Sequence, residues 1–150
     1  MWLVTVSDRK VGQFTVESSG TKELITISSS LNRLSSKTTV PIPGNLCVFE
    51  KEIFFEAKII RVKLIILKGI SFFLVPRKYY FKKMDSLAFF KALYKKINFS
   101  SKACGVIFYK KISKNKYSSI PIVFVKATGT AVKETSCASG SLALAIGLNL

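Results

Sequence analysis

Histidine is absent from this chain, and cysteine occurs only three times, at Cys47, Cys104 and Cys137. Without imidazole a zinc site would need unusual ligands, and three widely spaced thiols are too few for a disulfide framework. No metal site is expected, and a reducing, cytoplasmic setting is the natural one. Acidic residues are scarce as well, 8 against 24 Lys and Arg, for a formal net charge of +16 at pH 7. An excess of that size ordinarily points to nucleic acid or anionic lipid. Yet the lysines are scattered through strands and helix alike, arginines are few, and no segment has the pattern of a basic region, helix-turn-helix, zinc finger or aromatic RNA-binding motif. Solvated lysine on outward faces is therefore the expectation, with nucleic acid disfavoured as a partner. An anionic substrate would still gain from the positive field.

Long apolar runs are missing too. The longest, Ile59 to Val75, is broken by Arg61, Lys63 and Lys68 and cannot cross a bilayer cheaply. Met1 to Val6 is too short for a signal h-region and runs into Asp8-Arg9-Lys10. No membrane segment is expected, and neither an internal repeat nor a linker is visible. What is present is 150 residues, 49% of them hydrophobic, which is enough for one ordinary domain with a core.

In chain order, Trp2 to Val6, Gln13 to Glu17 and Glu23 to Ser28 alternate as strands, the last two joined by a hairpin-like turn at Ser18-Ser19-Gly20-Thr21. Ser28 to Ser36 reads as a serine-rich connection. Val40-Pro41-Ile42-Pro43-Gly44 is extended, because each proline pushes its predecessor out of helix. Leu46 to Phe49 and Ile53 to Lys58 are further candidate strands. Ile59 to Lys68 follows, Gly69 breaks it, and Ile70 to Val75 is a strongly apolar strand stopped by Pro76. Asp85 can cap a helix in which Leu87, Phe90, Leu93 or Tyr94, and Ile97 form one face, with Lys91, Lys95 and Lys96 elsewhere. Ala103 to Tyr109 and Ile120 to Lys126 then form a hairpin across a basic turn, Lys110 to Ser119. Core or edge positions are the default for Cys47 and Cys104.

The stretch Thr128 to Ile146 carries the chemistry. A polar, turn-rich run delivers Cys137 to a cluster of small residues, and an apolar run of good helix formers follows at once, which predicts a loop feeding a helix N-terminus. The first turn of such a helix has unpaired amides and the positive end of the macrodipole, so Ala138, Ser139, Gly140 and Ser141 could cradle a carboxylate or phosphate. The same field lowers a thiol's pKa, so Cys137 is expected to hold more thiolate. The alternative is a free buried cysteine at an Ala/Gly/Ser helix start.

Glu134-Thr135-Ser136-Cys137-Ala138-Ser139-Gly140-Ser141 resembles the second cysteine motif of the diaminopimelate epimerase-like racemases, in which a Glu-containing turn precedes Cys-Gly-(Ser/Thr)-Gly and a small-residue helix. Gly105 to Tyr109 and Ile120 to Thr128 are similar to the strands leading to that motif in the amino-acid racemase branch, which includes histidine racemases, and the similarity extends back to Phe14 to Gly20. The resemblance implies an α+β fold, a mostly antiparallel sheet or barrel wrapped around helices, with residues 1–45 ending an N-terminal lobe and 46–150 forming most of a C-terminal lobe. It implies an amino-acid racemase or epimerase that needs no cofactor and uses one cysteine thiolate as base and one thiol as acid. Cys137 matches one of that pair. Ala138, Ser139, Gly140 and Ser141 match the carboxylate cradle, with the hydroxyls of Ser139 and Ser141 as added donors. Glu134 and Thr135 match a turn that contacts the substrate amine or orients the thiol.

The departures are as informative. The family's first cysteine, in a Cys-Gly-Asn-like motif, has no counterpart before Phe14, and neither Cys47 nor Cys104 precedes a small-residue helix start. Where the family's strand near Phe72 and Phe73 carries an Asn or His, this chain has phenylalanine, so no ligand is carried over there. The family continues into more strands beyond the motif helix. The expectation is an incomplete racemase, inactive alone, whose partners are an amino-acid substrate, histidine or diaminopimelate, and a complementary N-terminal half. Its rivals are a basic nucleic-acid-binding module and an inactive, decayed fragment.

Overall fold

The computed structural model describes residues 2–7, 12–18, 24–31, 34–41, 47–67, 69–80, 83–96, 101–134 and 137–148, and side chains from residue 48 onward except at 94 and 96. Among the described residues there are ten strands: β1 (Trp2–Ser7), β2 (Gly12–Ser18), β3 (Leu24–Leu31), β4 (Leu34–Pro41), β5 (Cys47–Phe55), β6 (Lys58–Leu67), β7 (Ile70–Pro76), β8 (Ala103–Ser113), β9 (Lys116–Val125) and β10 (Thr130–Lys133). Helix α1 (Ser86–Lys96) lies between β7 and β8, and α2 (Ala138–Gly147) follows β10. All the strands belong to one sheet in the order β4-β3-β2-β1-β9-β8-β7-β6-β5, with β10 also paired to β9. Neighbours are antiparallel except β1 with β9 and β7 with β8. The expectation of a mostly antiparallel, sheet-dominated α+β fold holds.

The four strands before residue 46 and the six after it meet through β1 and β9. Strand β9 shares one long edge between two partners: β1 pairs with Lys116 to Ser119, and β10 with Ile122 to Val125. Pro121 falls in the gap. Its carbonyl accepts from the Glu134 amide at 2.9 Å, so its nitrogen also faces away from β8, and the missing N–H takes nothing from the β8–β9 ladder.

Both faces of the middle of the sheet are buried, as the period of two demands when each face is covered by a helix. Val62, Leu64, Phe73, Val75, Val106, Phe108, Ile120 and Ile122 face α1 and pack on Phe89, Phe90 and Leu93. Ile65, Leu67, Phe72, Leu74 and Ile107 face the other way and pack on Ala143, Leu144 and Ala145 of α2. Helix α2 contacts β6, β7 and β8 from one half of the sheet and β1, β2 and β3 from the other. Phe72 and Phe73 are both fully buried, one on each face.

Several boundaries differ from the sequence expectation. Ser28 to Ser36 is mostly strand: β3 continues to Leu31 and β4 begins at Leu34, with those two leucines opposite one another. Serine composition says loop, but a neighbouring strand that takes up every second amide overrides it. The two strands expected at 46–58 are one, β5, and Lys58 already belongs to β6. The intervening turn uses Glu56 and Ala57 at φ 47° and 59°, a left-handed pair without the usual Asn-Gly signal. Lys110 to Ser119 is not a loop either, since β8 and β9 stay paired out to Ser113 and Lys116. The hairpin is real; its turn is only Lys114 and Asn115.

Helix α1 follows the expectation closely. Asp85 Oδ1 accepts from the amides of Leu87 and Ala88 at 2.9 and 3.0 Å, Phe90 and Leu93 are buried, and Lys91 and Lys95 are exposed. Phe89, also buried, widens the apolar face beyond the expected stripe. Ile97 and the Ile42 to Gly44 stretch lie outside the described residues. Among the described residues no helix is long and apolar enough to cross a membrane.

Candidate functional site

The chain approaches the cysteine through a turn at residues 126–129, where Gly129 adopts φ +64° and its amide donates to the Val125 carbonyl at 3.0 Å. It then returns along β9 as β10, a strand the sequence did not announce. The bond from Glu134 to Pro121 ends β10 and fixes Glu134 on the sheet. Thr135 and Ser136 lie outside the described residues.

Cys137 is the N-cap of α2, with an extended backbone (φ −146°, ψ 105°) and a side chain that accepts from the Gly140 amide at 3.3 Å. That is the position a Ser, Thr or Asp usually takes. The Ser139 hydroxyl lies 3.5 Å from Sγ. The expected loop-to-helix junction is therefore present, and it brings Glu134, Cys137, Ala138, Ser139, Gly140 and Ser141 together.

Two of the four cradle amides are already engaged by Cys137 itself. Gly140 donates to its sulfur, and Ser141 donates to its carbonyl both through its amide at 3.0 Å and through its hydroxyl at 2.9 Å. Ser141 is buried, and its hydroxyl is turned into the helix instead of toward a ligand. Ala138 and Ser139 precede the first intrahelical bond and have no intrahelical carbonyl to reach. Ala138 is exposed and Ser139 half-buried. Of the four donors expected to form the cradle, these two amides are the remaining candidates.

The expected thiolate is not what the structure holds. Burial pushes the Cys137 thiol up from 9.0 to about 11, and the neighbouring Glu134 carboxyl pushes in the same direction, by charge and by its hydrogen bond to the thiol; the Ser139 hydroxyl and Gly140 amide pull the other way and lose. A thiolate forfeits more hydration at this half-buried position than one amide and the helix field return. At neutral pH Cys137 is a thiol, a proton donor.

The helix is seated by its glycines. A Cβ on Gly140 would come within 2.6 Å of Ile107 Cδ1, and one on Gly147 would collide with Leu74, so α2 lies flush on β7 and β8. At its far end, the Lys63 ammonium of β6 donates to the Gly147 carbonyl at 3.1 Å and lies 3.5 Å from Glu50. Lys63 is the residue that sequence reasoning missed, because nothing local marks a strand lysine as the partner of a helix end 84 residues away. A cavity of about 460 Å³ opens beside this contact, bordered by Glu50, Arg61, Lys63, Leu74 and Tyr109, at the opposite end of α2 from the thiol.

The remaining cysteines are less informative. Cys104 is fully buried on the α1 face, a core residue as expected, while the Cys47 side chain lies outside the described residues. Every described lysine except Lys63 is exposed, where its side chain is described at all, in keeping with solvated charge.

Among curated proteins none matches the chain. A family model described as "Histidine racemase CntK N-terminal domain" matches residues 2–150. The match takes in the strands on both sides of residue 46, both helices and the Cys137 junction. This chain belongs to the histidine racemase CntK N-terminal domain family.

Proposed function

We infer that the chain is the cysteine-bearing part of a cofactor-independent amino-acid racemase of diaminopimelate epimerase-like architecture, with histidine as the substrate that the family description favours. The observation that carries this is the sulfur of Cys137 standing at the mouth of α2, in the first turn that also holds the amides of Ala138 and Ser139. Racemisation removes the weakly acidic α-proton from one face of the amino acid and returns a proton to the other. The substrate carboxylate rests on the two amides and the positive end of α2, which also take up charge as the electron pair left on Cα delocalises into the carboxylate. A base on the far face accepts the α-proton, and the Cys137 S–H gives its proton to Cα. In the reverse direction Cys137 is the acceptor. The Gly140 amide and Ser139 hydroxyl hold the thiolate left once the proton has gone to Cα, and Glu134 orients the S–H beforehand.

The second acid/base group comes from a complementary part of the enzyme. The matched family is described as an N-terminal domain, which supports a further part of the enzyme as the source of that group, and residues 1–150 alone are then inactive. Following deuterium uptake at Cα of histidine in deuterated water by NMR tests both statements. The chain with its complementary half should exchange the α-proton, and Cys137→Ser should slow that exchange by about 10²–10⁴-fold. Exchange at an undiminished rate in Cys137→Ser would remove Cys137 from the mechanism. Exchange by the chain alone, lost in Cys137→Ser, would place the second group within residues 1–150.

A further inference from the structure

Helix α2 is ten residues long, about 15 Å at 1.5 Å per residue. Its N-cap is the thiol, and its last carbonyl, Gly147 O, is held by Lys63 Nζ. Between these ends the helix presents almost nothing polar to the sheet: Ala143, Leu144 and Ala145 are fully buried against Ile65, Leu67, Phe72, Leu74 and Ile107. The seats of Gly140 on Ile107 and Gly147 on Leu74 fix how closely the helix lies on the sheet, and the Glu134–Pro121 bond anchors the chain ahead of its start. At the far end the directional contact is the one at Gly147. Lys63 is well placed for it, since a cation at a helix C-terminus meets the negative end of the macrodipole and satisfies an orphan carbonyl. Glu50, across the β5–β6 ladder from Lys63, lies 3.5 Å from the same ammonium and leaves the bond to Gly147 in place.

We propose that Lys63 is a positioning residue for Cys137: by holding the last carbonyl of α2 it sets how far the helix mouth, and with it the sulfur, sits below the surface. The reacting group and its adjuster are thus on opposite ends of one rigid element. The functional meaning of this rests on the assignment of Cys137 as an acid/base group; the mechanical coupling does not.

Cysteine alkylation resolved by peptide mass spectrometry on the folded chain at neutral pH tests it, with Cys104 as an internal reference. Cys104 is fully buried on the opposite face of the sheet, so general loosening of the fold would raise the alkylation of both thiols together. Lys63→Met should speed alkylation of Cys137 by about fivefold, the factor that corresponds to losing one favourable charge at a helix end, and leave Cys104 unchanged. Lys63→Arg, which keeps a cation within reach of Gly147, should restore most of the protection. An unchanged Cys137 rate in Lys63→Met, or a parallel rise at Cys104, overturns the proposal. If Cys137 responds as stated but histidine exchange is undiminished in Cys137→Ser, the positioning holds and the catalytic assignment fails.

Discussion

Helices α1 and α2 lie on opposite faces of the same sheet and are built on opposite principles. Helix α1 is amphipathic, carries no glycine, exposes Lys91 and Lys95, and is capped by an Asp85 carboxyl that takes two amides at 2.9 and 3.0 Å. Helix α2 is buried along most of its length, starts and ends on close-packed glycines, and is capped by a thiol that takes one amide at 3.3 Å. Sulfur is a weaker acceptor than a carboxylate or hydroxyl, so a sequence selected only for stability would place Ser or Asp at residue 137. The difference separates a helix with a strong carboxylate cap from one with a weak thiol cap, and the proposed acid/base role of Cys137 is a reason for keeping the weaker one.

The sharpest way to break the comparison is at the caps themselves. Cys137→Ser should reduce Cα exchange in the complemented racemase by about 10²–10⁴-fold, the range for loss of a general acid, and should change stability by less than about 1 kcal/mol, since serine is a good N-cap. A thermal shift of many degrees with little loss of exchange would make the thiol a structural cap after all. Next in size is the seating of α2. Gly147→Ala puts a methyl group into Leu74 and against Ile65, and urea denaturation should show a loss of about 1–3 kcal/mol from overpacking. No loss would mean that α2 sits less tightly on the sheet than these contacts imply.

Alkali provides the third test. Because the folded state raises the Cys137 pKa from 9.0 to about 11, the unfolded chain releases this proton first as pH climbs. The contribution is fully present below about pH 9 and is lost between pH 9 and 11, on the order of 1–2 kcal/mol after allowance for partial exposure. Tyr109, whose pKa is also raised, chiefly by burial, adds to the fall at the upper end. Stability measured across this window should decline less steeply in Cys137→Ser, and equal slopes would contradict the assignment. The smallest effect belongs to α1: Asp85→Ala should cost about 1 kcal/mol by thermal or urea unfolding and leave histidine exchange unchanged. A large loss of exchange would show that α1, too, serves the site.

The same two helices show how much was legible in sequence. Asp85, Phe90, Leu93 and the outward lysines announce α1 because its start and its apolar spacing are encoded within a dozen residues. The α2 start was legible for the same reason: small residues followed by an apolar run. What local sequence could not carry were relations across the sheet. Strand β10 exists because Val123 and Val125 provide a ladder for Val132 and Thr130, and Lys63 matters because it meets Gly147. The Cys137 pKa was missed in the same way. The helix field is a local property and was anticipated, whereas burial in the apolar cluster beneath α2 depends on distant strands and decides the sign.

That Cys137 stands at the mouth of α2 as a thiol, with its proton still to give, is tested most directly by titrating its ionisation in the folded chain. The measurement is thiolate ultraviolet absorbance against pH, taken as the difference between the unaltered chain and Cys137→Ser. A midpoint near 11 is the predicted result. A midpoint below the ordinary thiol value of 9.0 would mean that the helix field outweighs burial and that the sulfur rests as a thiolate base, with no proton to donate.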